Sequence, residues 1–387
     1  MNEHPVAPPR GGGMGRRGFL AAAGLTAAGA ALTAAEGRSW AASPRVQAAP
    51  AGSFGVPVED VRHTRTWMAW PDSTAIWGRS LLSGVQADIA LIARTIATYE
   101  PVVMCANPGS AAAARSKCGP SVTVISSIPV DDCWMRDSGP VFRTDGAGGL
   151  DAVGLNFNGW GNKQTHAKDA LVAERIAAYA GVPFTSAGLV GEGGAIEQDG
   201  TGTLMATRSS LISAKRNPGK SQAQLEAAMC AAYGASKVIW FDGVSGQDIT
   251  DDHVDATSRF LAPGKALVQM PLATDTDVYA KDARQQYQIL SAATTASGGP
   301  MAVSRLQGPD YNKIRSTDAD FLASYANYYL CNGAVISGQF GDTRADAAAR
   351  ATLAQLYPGR VVEQLDIDRL GTGGGGIHCV TQQQPVP

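Results

Sequence analysis

The sequence predicts an α/β fold built from a cyclic or stacked repeat of helix–strand units, on three observations. Five amphipathic helical stretches recur at intervals of roughly 55–85 residues. Each is followed by a short apolar run that reads as a strand. Hydrophobic residues make up 44% of the chain and charged residues 17%, too apolar a balance for disorder. A chain of 387 residues also buries a full core without disulfide or metal staples. An ordinary α/β sandwich satisfies the same periodicity.

In chain order, Gly15-Arg16-Arg17-Gly18-Phe19-Leu20 leads into a run of Ala, Gly, Leu and Thr reaching Ala35. A charged start, an apolar centre and a small-residue end read as an export signal. The paired arginines indicate the twin-arginine route. The run is short and Ala/Gly-rich, which argues against a membrane anchor. Small residues at −3 and −1 allow cleavage after Ala35 or after Ala48, and the Pro/Ala stretch around it reads as a linker. The expected organisation is residues 1–48 as signal and linker and 53–387 as one domain. Residues 1–48 hold five Arg and two Glu, so removing them moves the formal charge from −2 to −5. That provides no field for nucleic acid and suits a cationic substrate.

Residues 83–100 place Val85, Ile89, Ile92 and Ile96 on one helical face, and Val102-Val103-Met104 follow as a strand. Residues 168–180 repeat the pattern with Leu171, Val172, Ile176 and Tyr179, then Val182-Pro183-Phe184. Residues 204–207 read as a strand; residues 221–233 carry Leu225, Met229 and Tyr233, then a strand over 237–241. A strand over 266–269 precedes the helical residues 281–296, which carry Tyr287 and Leu290 and lead to Met301-Ala302-Val303. A strand over 334–337 precedes the helical residues 344–357, which carry Leu353 and Leu356 and lead to a strand over 361–365.

The six cysteines show no CxxC and no metal-type spacing, and most sit in apolar runs as small buried hydrophobes. Cys379 differs. It follows Gly373-Gly374-Gly375-Gly376-Ile377-His378, where the backbone can approach a ligand closely, although a glycine run also suits a flexible tail. A nucleophilic Cys needs a base, and the base needs an orienting acceptor. His378 adjoins Cys379, and neighbours on an extended strand point to opposite faces. His253, flanked by acids in a loop, is the better base. Asp255, at i+2, shares its face if the segment is extended. Asp137 and Asp255 can clamp a planar guanidinium through paired charge-assisted hydrogen bonds. Asp137, before Ser138-Gly139-Pro140, is otherwise a turn residue.

The stretches WMRDSGP, EGGAI, HVD and GGGGIHCVTQQQP resemble the agmatine deiminase/bacterial peptidylarginine deiminase family, in order and spacing from about Val61 to Pro385. The resemblance implies the pentein fold, a single-domain five-bladed α/β propeller of pseudo-fivefold symmetry with the active site on its axis. It implies Cys379 as nucleophile, His253 as acid–base group, Asp137 and Asp255 as guanidinium binders, and Glu192 as the carboxylate that orients the histidine. It also implies Trp134 lining the pocket and Asn327 in support. Two departures stand out: Asp252 where the family usually has Gly, and Glu197 where a His is common. Both are expected to alter recognition of the substrate tail.

The implied reaction is hydrolytic deimination through a covalent thiouronium on Cys379, with His253 protonating the leaving nitrogen and then activating water. It needs no metal or organic cofactor. Agmatine would give N-carbamoylputrescine and ammonia. Competing expectations are a secreted deiminase of peptidyl or free arginine, amidine transfer to an amine, and a non-catalytic guanidine- or amine-binding exported protein. The expected partner is a small cationic guanidino compound, with no nucleic acid and no membrane anchor after signal cleavage. The oligomeric state, a homo-oligomer included, is left open.

Overall fold

Five small sheets, each following one plan, make up the computed structural model of this chain, which describes residues 53–387. The export signal expected over residues 1–48 lies outside the described residues. In each unit a short strand runs antiparallel to a central strand, and the central strand leads through a helix to a third strand parallel to it. A parallel pair cannot be joined by a tight turn, so each unit spends its amphipathic helix on the crossover.

In the second unit the strands are Val141–Thr144, Leu150–Gly154 and Phe184–Ser186, with the helix Val172–Ala180 before the last. The third has Ile196–Gln198, Thr203–Thr207 and Lys237–Phe241, with the helix Gln222–Tyr233. The fourth has Ser258–Ala262, Lys265–Met270 and Ala302–Gln307, with the helix Val278–Ala292. The fifth has Tyr329–Cys331, Ala334–Gln339 and Val361–Asp366, with the helix Thr343–Leu356.

The first unit is completed from the far end of the chain. Its central strand His63–Ala69 leads through the helix Thr74–Ile96 to Val102–Cys105, while its antiparallel strand is Gln382–Pro385. One further helix, Ala111–Cys118, and a strand, Val122–Ile125, extend that sheet. The result is the single α/β domain of five repeated units expected of a pentein. Among the described residues no helix is long and apolar enough to cross a membrane.

Local chemistry sets the element ends. Ser221 and Gln224 form a reciprocal capping box on the third helix, and Asp277 and Asp342 cap the fourth and fifth. Ser73 caps the first helix well before residue 83, and the non-helical Gly78 kinks its opening turns, which hid them from the periodicity. The strand expected over 182–184 starts later, at Phe184, because Pro183 has no N–H to give the ladder; its carbonyl accepts from Ala152 N at 2.9 Å. The central strand Thr203–Thr207 is buried along its length, as expected of a strand covered on both faces.

Candidate active site

Each unit sends one segment to a common centre, immediately before its antiparallel strand. Asp137 lies in the short helix Met135–Ser138 ahead of Val141. Glu192 precedes the 3-10 turn Gly193–Ala195 ahead of Ile196. His253 and Asp255 flank Val254 at the 3-10 turn Val254–Ala256 ahead of Ser258. Asn327 stands two residues before Tyr329. Cys379 lies in the 3-10 turn His378–Val380 ahead of Gln382. The sequence-named residues therefore come one or two from every unit.

Glu192 Oε2 lies 3.2 Å from His253 Nε2, while its Oε1 accepts from Arg216 Nε at 2.7 Å. The other ring nitrogen, Nδ1, faces Asp137 Oδ1 at 3.7 Å, beyond a direct hydrogen bond. Asp137 also accepts from Trp160 Nε1 at 2.9 Å and from Gly194 N at 3.1 Å. Asp255 Oδ2 is 2.7 Å from His378 Nδ1 and 4.0 Å from Cys379 Sγ, whereas its Oδ1 is buried without a partner. Asn327 Nδ2 donates to Cys379 Sγ at 3.3 Å, and Asn327 Oδ1 accepts from His378 N at 3.0 Å. Asn327 thus supports the sulfur and its turn.

Burial pushes Asp137 up to about 6; His253 opposes that, and Glu192 and Asp255 add to it. Burial works against the His253 cation, but Asp137, Glu192 and Asp255 outweigh it and raise the imidazole to about 9. Burial likewise opposes ionisation of Glu192 and Asp255. Arg216 and His253 nonetheless hold Glu192 below its ordinary range, and His378 does the same for Asp255. The Cys379 thiol is pushed well up, by burial first and then by Asp255 and Asp137, against the smaller help of the Gly376 N–H and Asn327. Burial and the aspartates thus favour a protonated Cys379 thiol, and the surrounding carboxylates favour a protonated His253 imidazole.

A profile of the Porphyromonas-type peptidyl-arginine deiminase family matches residues 55–385. The chain belongs to this family. An agmatine deiminase of Stutzerimonas stutzeri is 32% identical over 356 residues, covering 86% of this chain and 96% of that protein. A Streptomyces coelicolor protein that carries agmatine deiminase as a provisional name is 40% identical over 343 residues, covering 86% and 99%. A solved structure of the agmatine deiminase of Enterococcus faecalis superposes with a TM-score of 0.80 at 28% identity, covering 89% of this chain and 100% of that one.

The glycines of the family stretches are steric requirements. A Cβ at Gly375 would stand 2.2 Å from the Trp134 ring, and one at Gly376 would stand 2.5 Å from Asn327 Oδ1. The run is therefore packed against Trp134, which is buried and stacks on Trp77, and against Asn327 beside the Cys379 sulfur. Two expectations about side-chain direction are corrected. Residues 254–256 and 378–380 are 3-10 turns, not extended strand, so period-2 reasoning does not apply. His253 and Asp255 still meet, since a Cβ on Gly194 would lie within 3.0 Å of both and of Asp137. His378 and Cys379 do not diverge to unrelated faces; both reach Asp255 Oδ2.

Asp252 adopts φ 70°, a left-handed conformation that Asp tolerates better than most residues and Gly adopts freely. Glu197 is buried and accepts from Arg259 Nε at 2.7 Å and from Phe260 N at 3.0 Å. Sequence reasoning missed Trp160 as a partner of Asp137 and Arg216 as the countercharge of Glu192. The glycines of Asn158-Gly159-Trp160-Gly161 are a signal that could have found that loop, whereas no motif marks Arg216. Glu59, Glu197 and His378 approach one another as metal ligands could, but Arg259 already bonds both carboxylates at 2.8 Å and 2.7 Å and supplies the positive charge there.

A cleft of ≈ 510 Å³ opens onto His253 beside Gly373 and Gly374. Asp248, Asp252 and Asp320 line it, together with Lys163, which is paired to Asp251 at 2.6 Å.

Proposed function

We propose that the protein hydrolyses a guanidino group to a ureido group and ammonia, with agmatine as the favoured substrate and Cys379 as the nucleophile. The convergence of Asp137, Asp255, His253 and Cys379 on one buried centre carries this reading. The guanidinium sits between Asp137 and the unpartnered Asp255 Oδ1. Its charge offsets the two carboxylates that raise the Cys379 thiol, so substrate arrival itself favours the thiolate, the thiol proton passing to solvent water through the open cleft while His253 keeps its own. The thiolate bonds the guanidinium carbon, and His253, held by Glu192, gives its proton to the leaving nitrogen. Ammonia departs and a thiouronium remains on Cys379. Water, deprotonated by His253, then adds to that carbon; the C–S bond breaks and the ureido product leaves.

The acidic cleft supports a cationic tail such as the terminal ammonium of agmatine, and disfavours the α-carboxylate of free arginine. The family's peptidyl-arginine name supports a second substrate class, arginine within a peptide, which lacks that carboxylate. A panel of agmatine, arginine and arginyl peptides, scored for ureido product and ammonia, separates them; agmatine should give the highest kcat/KM. No ureido product from any of them would overturn the deiminase reading. We also propose export by the twin-arginine route. Arg16→Lys with Arg17→Lys should hold the protein in the cytosol, and unchanged secretion would mean another route.

A further inference from the structure

We infer that His378, held by Glu59, is a positioning residue for Asp255: it fixes which carboxylate oxygen faces the substrate. The inference rests on the guanidinium reading above. The His378 ring is buried and spans two carboxylates, with Nδ1 2.7 Å from Asp255 Oδ2 and Nε2 2.9 Å from Glu59 Oε2. Each ring nitrogen thus faces a carboxylate oxygen at hydrogen-bond distance. Glu59 in turn accepts from Arg259 Nη2 at 2.8 Å through the same oxygen, and from Leu330 N at 3.0 Å through the other. Arg259 closes on Glu197 at 2.7 Å. A buried chain of alternating partners thus runs from Glu197 through Arg259, Glu59 and His378 to Asp255.

Its consequence lies at the last link. Oδ2 of Asp255 is taken by the imidazole, while Oδ1 is buried with no partner. A buried acceptor left open is costly unless a ligand fills it. Oδ1 is therefore the atom aimed at a guanidinium N–H. Without His378, the carboxylate could turn about its terminal torsion and lose that aim, because such torsions are soft. The backbone assists: Asn327 Oδ1 accepts from His378 N, so one amide holds both the histidine turn and the nucleophile's sulfur.

Two substitutions dissect the bonds. His378→Asn keeps a donor near the place of Nδ1 and loses the reach to Glu59; His378→Gln reaches Glu59 and leaves Asp255 without its donor. With active sites counted by a haloacetamidine label on Cys379, His378→Gln should raise KM for agmatine about tenfold or more. His378→Asn, which keeps the donor to Asp255 but loses the Glu59 anchor, should raise it only severalfold. Glu59→Gln, which preserves volume and one acceptor, serves as an independent variant should the His378 changes prevent folding, and should also raise KM severalfold. A merely structural role would lower melting temperature and active fraction while KM per active site stayed put; that result, or His378→Gln binding as well as His378→Asn, would overturn the inference. Asp255→Asn is the reference. If it too leaves KM unchanged, the guanidinium reading fails; if it raises KM while the His378 and Glu59 variants do not, only the positioning role fails.

Discussion

At the scale of single residues, charge decides behaviour. Cys379 is not the most acidic thiol by environment; burial and two nearby aspartates hold it protonated. Selectivity must then come from the cation it meets. A haloacetamidine should alkylate Cys379 about 100-fold faster than the neutral haloacetamide, with Cys105 and Cys230 unlabelled; equal rates would remove the Asp137/Asp255 clamp from the account. Asp137→Asn removes one charge-assisted hydrogen bond, worth about 1.5–3 kcal/mol, so kcat/KM should fall about 10- to 150-fold. The pH profile follows from the two raised groups. Guanidinium binding needs ionised Asp137, so kcat/KM should fall as pH drops through about 6. Leaving-group protonation needs protonated His253, so it should fall again as pH rises through about 9. Because both folded values lie above the unfolded ones, each group adds stability at low pH, full below its unfolded value. That contribution disappears through about 6 for Asp137 and through about 9 for His253.

At the scale of elements, the site depends on turns that keep side chains out of its centre. Gly194 lies between His253 Nδ1, Asp137 Oδ1 and Asp255 Oδ2, which a Cβ would meet at 2.8, 3.0 and 3.0 Å. Gly194→Ala should therefore cut kcat/KM about 100-fold, the scale of a misplaced reacting group, with a small change in melting temperature. A large loss of melting temperature with normal activity would reverse that assignment. The loop carrying Trp160 is held in the left-handed region at φ 55°, flanked by Gly159 and Gly161 at φ 67° and 82°. That geometry delivers the indole N–H to Asp137, a use of backbone strain familiar at functional sites.

For the molecule as a whole, completion of the first sheet by residues 382–385 couples folding to the site. The strand Gln382–Pro385 completes the first sheet beside His63–Ala69, and Gln384 Oε1 accepts from Trp67 Nε1 at 3.0 Å inside it. Cys379, the proposed nucleophile, stands directly before that strand, so pairing of the strand sets its position. Deleting residues 382–387 should abolish cooperative thermal unfolding by circular dichroism, since total stability is only about 5–15 kcal/mol and a central strand would lose its partner. A truncated chain melting at the wild-type temperature would show that this pairing contributes little.

The repeat and the residues that converge on the candidate site were legible because periodicity and local motifs are properties of neighbouring residues. The helices over 221–233 and 344–357 follow from apolar spacing, and Cys379, His253, Asp137 and Asp255 sit in stretches whose residue types announce their use. The first strand of every unit stayed hidden. Gln382-Gln383-Gln384 has no apolar alternation and becomes a strand only because the first sheet, more than 300 residues away, offers it a ladder. Glu59, Arg216, Trp160 and the role of His378 were equally out of reach. A countercharge is recognised by the distance to its partner, and that distance exists only once five segments far apart in sequence have been brought to one centre.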